Sequence, residues 1–148
     1  MSWVSPIDVS AKHLDVANIR QPGTSKWLLN LDIFKQWECG TGQALWCPGI
    51  PGAGKTVITS LLIDHLLDLQ RLEPIGTMAV AWVYLDYNQE FIQTPDAIQL
   101  SLIRQLAVFS TELYDLLRSA YKKDPNIRPS PRWLIPDMHI IPSSVVAK

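Results

Sequence analysis

Apolar positions recur at helical spacing directly after a glycine-rich stretch. Val57, Ile58, Leu61, Leu62, Leu66 and Leu69 share one face, with Asp64 and Asp68 turned elsewhere, which predicts an amphipathic helix beginning near Thr56. Ala44-Leu45-Trp46-Cys47 and Met78 to Leu85 are instead short continuous apolar runs, the second preceded by the turn residues Pro74 and Gly76. Both predict buried strands. Upstream, Trp27, Leu28, Leu29, Ile33, Phe34 and Trp37 predict a short helix with an aromatic face packed in the core, ended by Gly40-Thr41-Gly42. Before it, Ile7, Leu14 and Ile19 form only a weak apolar pattern, and Pro22-Gly23-Thr24 marks a turn.

Two further helices are written into the second half. Thr94-Pro95-Asp96 combines a capping hydroxyl, a first-turn proline and an acid at the positive helix end. Ile98, Leu102, Leu106 and Phe109 follow at helical spacing. Ser110-Thr111-Glu112 then restarts a helix carrying Leu113, Leu116, Leu117 and Ala120. From Asp124 the pattern breaks down, because Pro125, Pro129, Pro131, Pro136 and Pro142 interrupt helix and central strand alike. The chain divides accordingly into a pre-loop helical segment (1–43), an α/β module (44–124) and a proline-rich tail (125–148).

The strand–loop–helix order acquires chemistry from residues 49–56. Gly49-Ile50-Pro51-Gly52-Ala53-Gly54-Lys55-Thr56 is a complete G-x-x-x-x-G-K-[ST] phosphate-binding loop. Its glycines let the backbone approach a polyphosphate, whose charge meets free N–H groups and the positive end of the following helix. Lys55 is expected to reach the terminal phosphates, and the Thr56 hydroxyl to contact Mg²⁺. The expected ligand is ATP or GTP, with Mg²⁺ as the accompanying ion. The alternative, a glycine turn that merely joins strand to helix, leaves Lys55 and Thr56 without a role.

Composition narrows the setting. The chain has 148 residues, 47% hydrophobic and 18% charged, with a net charge of −1. That balance suits one globular domain and gives no global field toward nucleic acid or an anionic membrane. No basic start followed by an apolar stretch opens the chain, and Met78 to Leu85 is too short to span a bilayer. A cytoplasmic protein is expected. Cys39 and Cys47 have no cysteine–histidine cluster around them, so neither a disulfide framework nor metal ligation is expected. His13, His65 and His139 likewise have no nucleophile or ligand at useful spacing.

Two other sites compete with the loop. Asp86 ends an apolar run thirty residues after Thr56, where a small-molecule kinase can place the base for its accepting hydroxyl. A solvent-facing acid is the plainer reading. Tyr121-Lys122-Lys123-Asp124 is similar to a guanine-reading [NT]-K-x-D motif but has tyrosine first and follows a helix. Helix-end solvation accounts for it.

From about Trp3 to Ser130 the chain resembles the N-terminal NTPase region of fungal NACHT-type proteins, also described as a nephrocystin-like N-terminal domain. The resemblance is carried by Ser5-Pro6, Arg20 with Pro22-Gly23-Thr24, Trp27-Leu28-Leu29 and Phe34-x-x-Trp37. It continues through Leu45 to Thr56, Ser60 to Asp64, Tyr84-Leu85-Asp86-Tyr87 and Arg128-Pro129-Ser130. It implies a STAND-class P-loop NTPase: a three-layer parallel sheet with flanking helices, switched by nucleotide exchange and hydrolysis between inactive and oligomerising states. Arg20 would approach the nucleotide. Ser25 stands where such sequences often carry glycine, and the pattern is lost from Pro131-Arg132-Trp133 onward, before any Walker B strand. The expected fold is therefore an incomplete α/β sheet, with nucleotide binding retained better than turnover. Self-association or pairing with related STAND proteins is the expected protein contact, and a catalytically inactive interaction fragment is the competing functional class.

Overall fold

Asp8 caps the first helix, its carboxylate accepting from the N–H groups of Ser10 and Ala11. Helix α1 (Val9–Ile19) follows in the computed structural model, which describes residues 4–74 and 76–123. A 3-10 helix (Lys26–Asn30) leads into α2 (Asp32–Cys39), which stops at Gly40. The long α3 (Lys55–Leu72) starts at Gly54. A second 3-10 turn (Tyr87–Gln89), α4 (Pro95–Leu106) and α5 (Thr111–Lys123) complete the order.

The expected parallel sheet is not there. Among the described residues the elements are helical, and no strand forms over either Ala44–Cys47 or Met78–Leu85. This overturns the α/β P-loop fold read from the sequence. The reason lies in what apolar patterning encodes: it favours an extended, half-buried chain, but a strand also needs a neighbour's backbone. The two apolar runs do not hydrogen-bond to each other. In the second run, glutamine side chains take the place of a ladder. Gln105 donates to the Trp82 carbonyl (2.9 Å) and accepts from the Trp82 N–H (3.2 Å). Gln93 likewise donates to the Tyr84 carbonyl and accepts from the Asp86 N–H.

Among the described residues, apolar burial is spread over four clusters. Val4, Leu100, Ile103, Ala107 and Leu117 join the amino-terminal residues to α4 and α5. Ile7, Val9 and Ala97 form a second, and Val16, Ile63 and Tyr84 a third, with Trp82 packed against both. Leu28, Phe34 and Leu62 seat α2 on α3, with Leu45, Trp37 and Ile58 around them. Arg104 ties α4 to the amino terminus, donating to the Ser5 and Ile7 carbonyls.

Several expectations shift in detail. The helix expected around Trp27–Trp37 is divided in two, and Trp27 is 58% exposed, so only Phe34 and part of Trp37 supply the aromatic packing. Helix α4 buries Ala97, Leu100 and Ile103 rather than the stripe through Ile98 and Leu102. The proline-rich tail lies outside the described residues, as does His139. No helix among the described residues is long and apolar enough to cross a membrane.

Candidate functional site

The glycine loop and the start of α3 form the candidate site. Gly52 and Gly54 hold φ at +80° and +81°, a left-handed conformation that a side chain makes costly. Between them the loop closes tightly, with the Ala53 N–H donating to the Ile50 carbonyl. Gly54 is the cap residue of α3, and its carbonyl accepts from the Ile58 N–H at 2.9 Å. No side chain caps this helix end. The N–H groups of its first turn have no intrahelical acceptor. An 18-residue helix therefore presents free donors and a positive dipole end behind a glycine turn.

Lys55 closes the arrangement. Its ammonium donates to the Gly49 carbonyl (2.8 Å) and the Ile50 carbonyl (2.9 Å), folding the side chain back over the loop. Residues 49–53, Lys55 and Thr56 are exposed, and Gly54 is half-buried. The eight residues singled out in the sequence thus stand together, accessible from solvent. A polyphosphate could take over the ammonium's donors without any group first being dug out of the core. Chemically, such a site can hold an anion of several charges and orient it.

Magnesium fits only as a passenger of the phosphate. Among the described residues no group of three or more His, Cys, Asp and Glu side chains could hold a metal. Thr56, in the first turn of α3, offers one exposed hydroxyl. Phosphate oxygens and water would have to supply the remaining ligands, which is a common mode for this ion.

A second polar constellation lies further along α3 and escaped the sequence reading. His13 of α1 places Nε2 2.9 Å from Asp64 Oδ1 and Nδ1 2.9 Å from the Tyr84 hydroxyl. Arg20 donates to the other Asp64 oxygen and, at 3.0 Å, to the Ser60 hydroxyl. Partial burial pushes the Asp64 carboxyl up, but the bonds and charges of Arg20 and His13 outweigh this and hold it below the usual carboxylate range. Burial, reinforced by the Asp64 charge and opposed by Arg20, pushes the Tyr84 hydroxyl up to about 12. The available signal was that Asp64 follows Ile63, which faces inward; Arg20, expected near the nucleotide, is engaged by Asp64 and Ser60. His65 is also partnered, 2.6 Å from Glu38 of α2.

Asp86 is committed elsewhere. Lys12 donates to its Oδ2 at 2.9 Å, while Oδ1 accepts from the Asn88 N–H and side chain. The Lys12 bond, followed by the Asn88 N–H, holds this carboxyl below its ordinary range, which weakens it as a base. Cys39 and Cys47 are free thiols.

No curated protein and no solved structure matches this chain. A family model does, that described as Nephrocystin 3, N-terminal, over residues 23–142. The match includes the glycine loop, α2, α3 and α4, and begins just after Arg20. It therefore leaves α1 and the Ser5-Pro6 pair outside. Spanning most of its length, the match shows that the chain belongs to the nephrocystin 3 N-terminal family.

Proposed function

We propose that this family member binds a nucleoside triphosphate through residues 49–56, as a NACHT- or STAND-type module related to the fungal proteins it resembles. The observation that carries the reading is the start of α3. A long helix without a side-chain cap is entered through two left-handed glycines, and a lysine ammonium lies over the same loop. Helix dipole, free N–H groups and cation then address one exposed volume. The reading rests on this local geometry and on the loop's residue pattern, with no support from a parallel sheet.

In this account Gly49, Gly52 and Gly54 shape the loop, and Ile50, Pro51 and Ala53 supply its backbone. Lys55 exchanges carbonyl partners for phosphate oxygens, forming charge-assisted hydrogen bonds. Thr56 adds its hydroxyl to the Mg²⁺ that travels with the phosphates. The chain's own residues bind and orient; no hydrolytic step is assigned to them. Asp86, tied to Lys12 and Asn88, gives no reason to prefer the kinase reading.

Titrating the full chain with Mg·ATP, Mg·GTP and the corresponding monophosphates tests the proposal. Saturable binding of the triphosphates, far weaker for the monophosphates and reduced by chelating Mg²⁺, is expected. Equal affinity for triphosphate and monophosphate would place recognition on the base and remove the loop from the account. No binding of any nucleotide would favour a pure interaction module.

A further inference from the structure

The run Met78–Leu85 has two edges, and the described structure treats them differently. In extended chain the N–H and C=O of one residue point to the same edge, and the next residue's point to the opposite one. Even-numbered positions face glutamines. Gln70 donates to the Met78 carbonyl at 3.0 Å, Gln105 pairs with both groups of Trp82, and Gln93 bonds the Tyr84 carbonyl and the Asp86 N–H. Val80 alone of these even positions has no such bond among the described residues. The odd-numbered residues Ala79, Ala81, Val83 and Leu85 have no backbone hydrogen bond to any described residue. None of the four is fully buried, and Leu85 is 61% exposed.

We propose that this odd-numbered edge pairs with the same edge of a second copy, forming an antiparallel intermolecular ladder and a two-fold dimer. An extended backbone is the occupant that offers alternating donors and acceptors at this spacing. With the two-fold axis at Val83, that residue faces its own equivalent, and Ala81 faces Leu85 on either side. Every open group between them then meets a partner. The segment is suited to its own copy because it contains no charged residue, proline or glycine from Met78 to Leu85. No like charges are opposed, and the usual guards against edge pairing are missing. The net charge of −1 adds little repulsion between copies. Closure at two follows from the glutamines, which occupy the other edge at Met78, Trp82, Tyr84 and Asp86 and leave only Val80 between them, so the contact is isologous and does not propagate. Tyr87 and Phe91, 88% and 96% exposed, continue the apolar surface just beyond Leu85. This inference does not depend on nucleotide binding.

The test is sedimentation velocity on the full chain over a range of concentrations, with residue-resolved amide exchange at the two extremes. A dimer that grows with concentration is expected, with Ala81, Val83 and Leu85 amides gaining protection as it forms. Trp82 and Asp86 should be protected throughout. Leu85→Lys, which sets two charges against the interface, should remain monomeric with its helical circular dichroism intact, and Val83→Pro, which deletes a donor, should do the same. A monomer at every concentration would overturn the proposal. So would Ala81 and Val83 amides already protected in the dilute monomer, since another part of the same chain would then cover the edge. A dimer unaffected by Leu85→Lys would overturn it as well. Exchange on the unaltered chain decides the matter even if a variant fails to fold.

Discussion

Asp64 joins α1 to α3 through both carboxylate oxygens, with Arg20 on one and His13 on the other. Its pKa is held low in the folded chain, so it contributes stability that is complete above the unfolded carboxylate value of about 3.9 and lost as pH falls through the folded value. Tyr84 behaves oppositely. Its raised pKa, about 12, gives stability that is complete below the unfolded value of about 10 and lost as pH rises through the folded one. Denaturant melts across pH should therefore show Asp64→Asn losing stability at neutral pH and converging on the unaltered chain in acid. Tyr84→Phe should flatten the alkaline limb between pH 10 and 12. Identical pH profiles in all three proteins would mean that the network contributes nothing. Pairings of this kind were invisible in the sequence, since Asp64 and His13 are 51 positions apart and no local rule brings them together. The loop residues were legible because their chemistry is contained in eight consecutive positions.

Helix boundaries were the most readable features at the next scale, wherever a cap is local. Thr94 accepts from the Ala97 N–H at 3.3 Å and Ser110 from the Leu113 N–H at 3.2 Å, as the hydroxyls in those positions predict. Thr94→Ala should cost about 1 kcal/mol of unfolding free energy, measured by chemical denaturation, and no change would show the cap to be replaced by solvent. Helix α1 was given no bounds within the pre-loop helical segment because its apolar positions are sparse; only Val9 and Val16 are buried, while Leu14 and Ile19 face out. Asp8, two and three residues ahead of the N–H groups it accepts from, was the unread signal. The buried face of α4 was misassigned for a different reason. Leucine and isoleucine lie on several of its sides, and the choice among them is made by α5, whose Leu117 is fully enclosed. Leu117→Ala should destabilise by roughly 2–5 kcal/mol. A loss below about 1 kcal/mol would mean that the α4–α5 cluster collapses around the gap.

For the whole molecule, the sequence was read as a parallel sheet and the described structure is helical. The run at 78–85 buries Val80 and Tyr84, whereas the run at 44–47, expected as a buried strand, buries none of its residues and leaves Trp46 80% exposed; a sheet depends in addition on which segments meet. That information is non-local, and here the backbone of the second run is met by glutamines from α3, α4 and the intervening loop. Family membership rests on residues 23–142, a span that holds the glycine loop but not α1. The loop's geometry survives the change of fold because its elements are local: two left-handed glycines, one lysine and the uncapped first turn of α3.

Phosphate binding by these elements is the proposed role on which the function rests. Calorimetric titration of the full chain and of Lys55→Ala with Mg·ATP and Mg·GTP decides it. Removing the ammonium deletes a charge-assisted contact worth roughly 1.5–3 kcal/mol, so the variant should bind about ten- to a hundred-fold more weakly while melting like the unaltered chain. Affinity unchanged by Lys55→Ala, or no detectable binding by either protein, would contradict the claim.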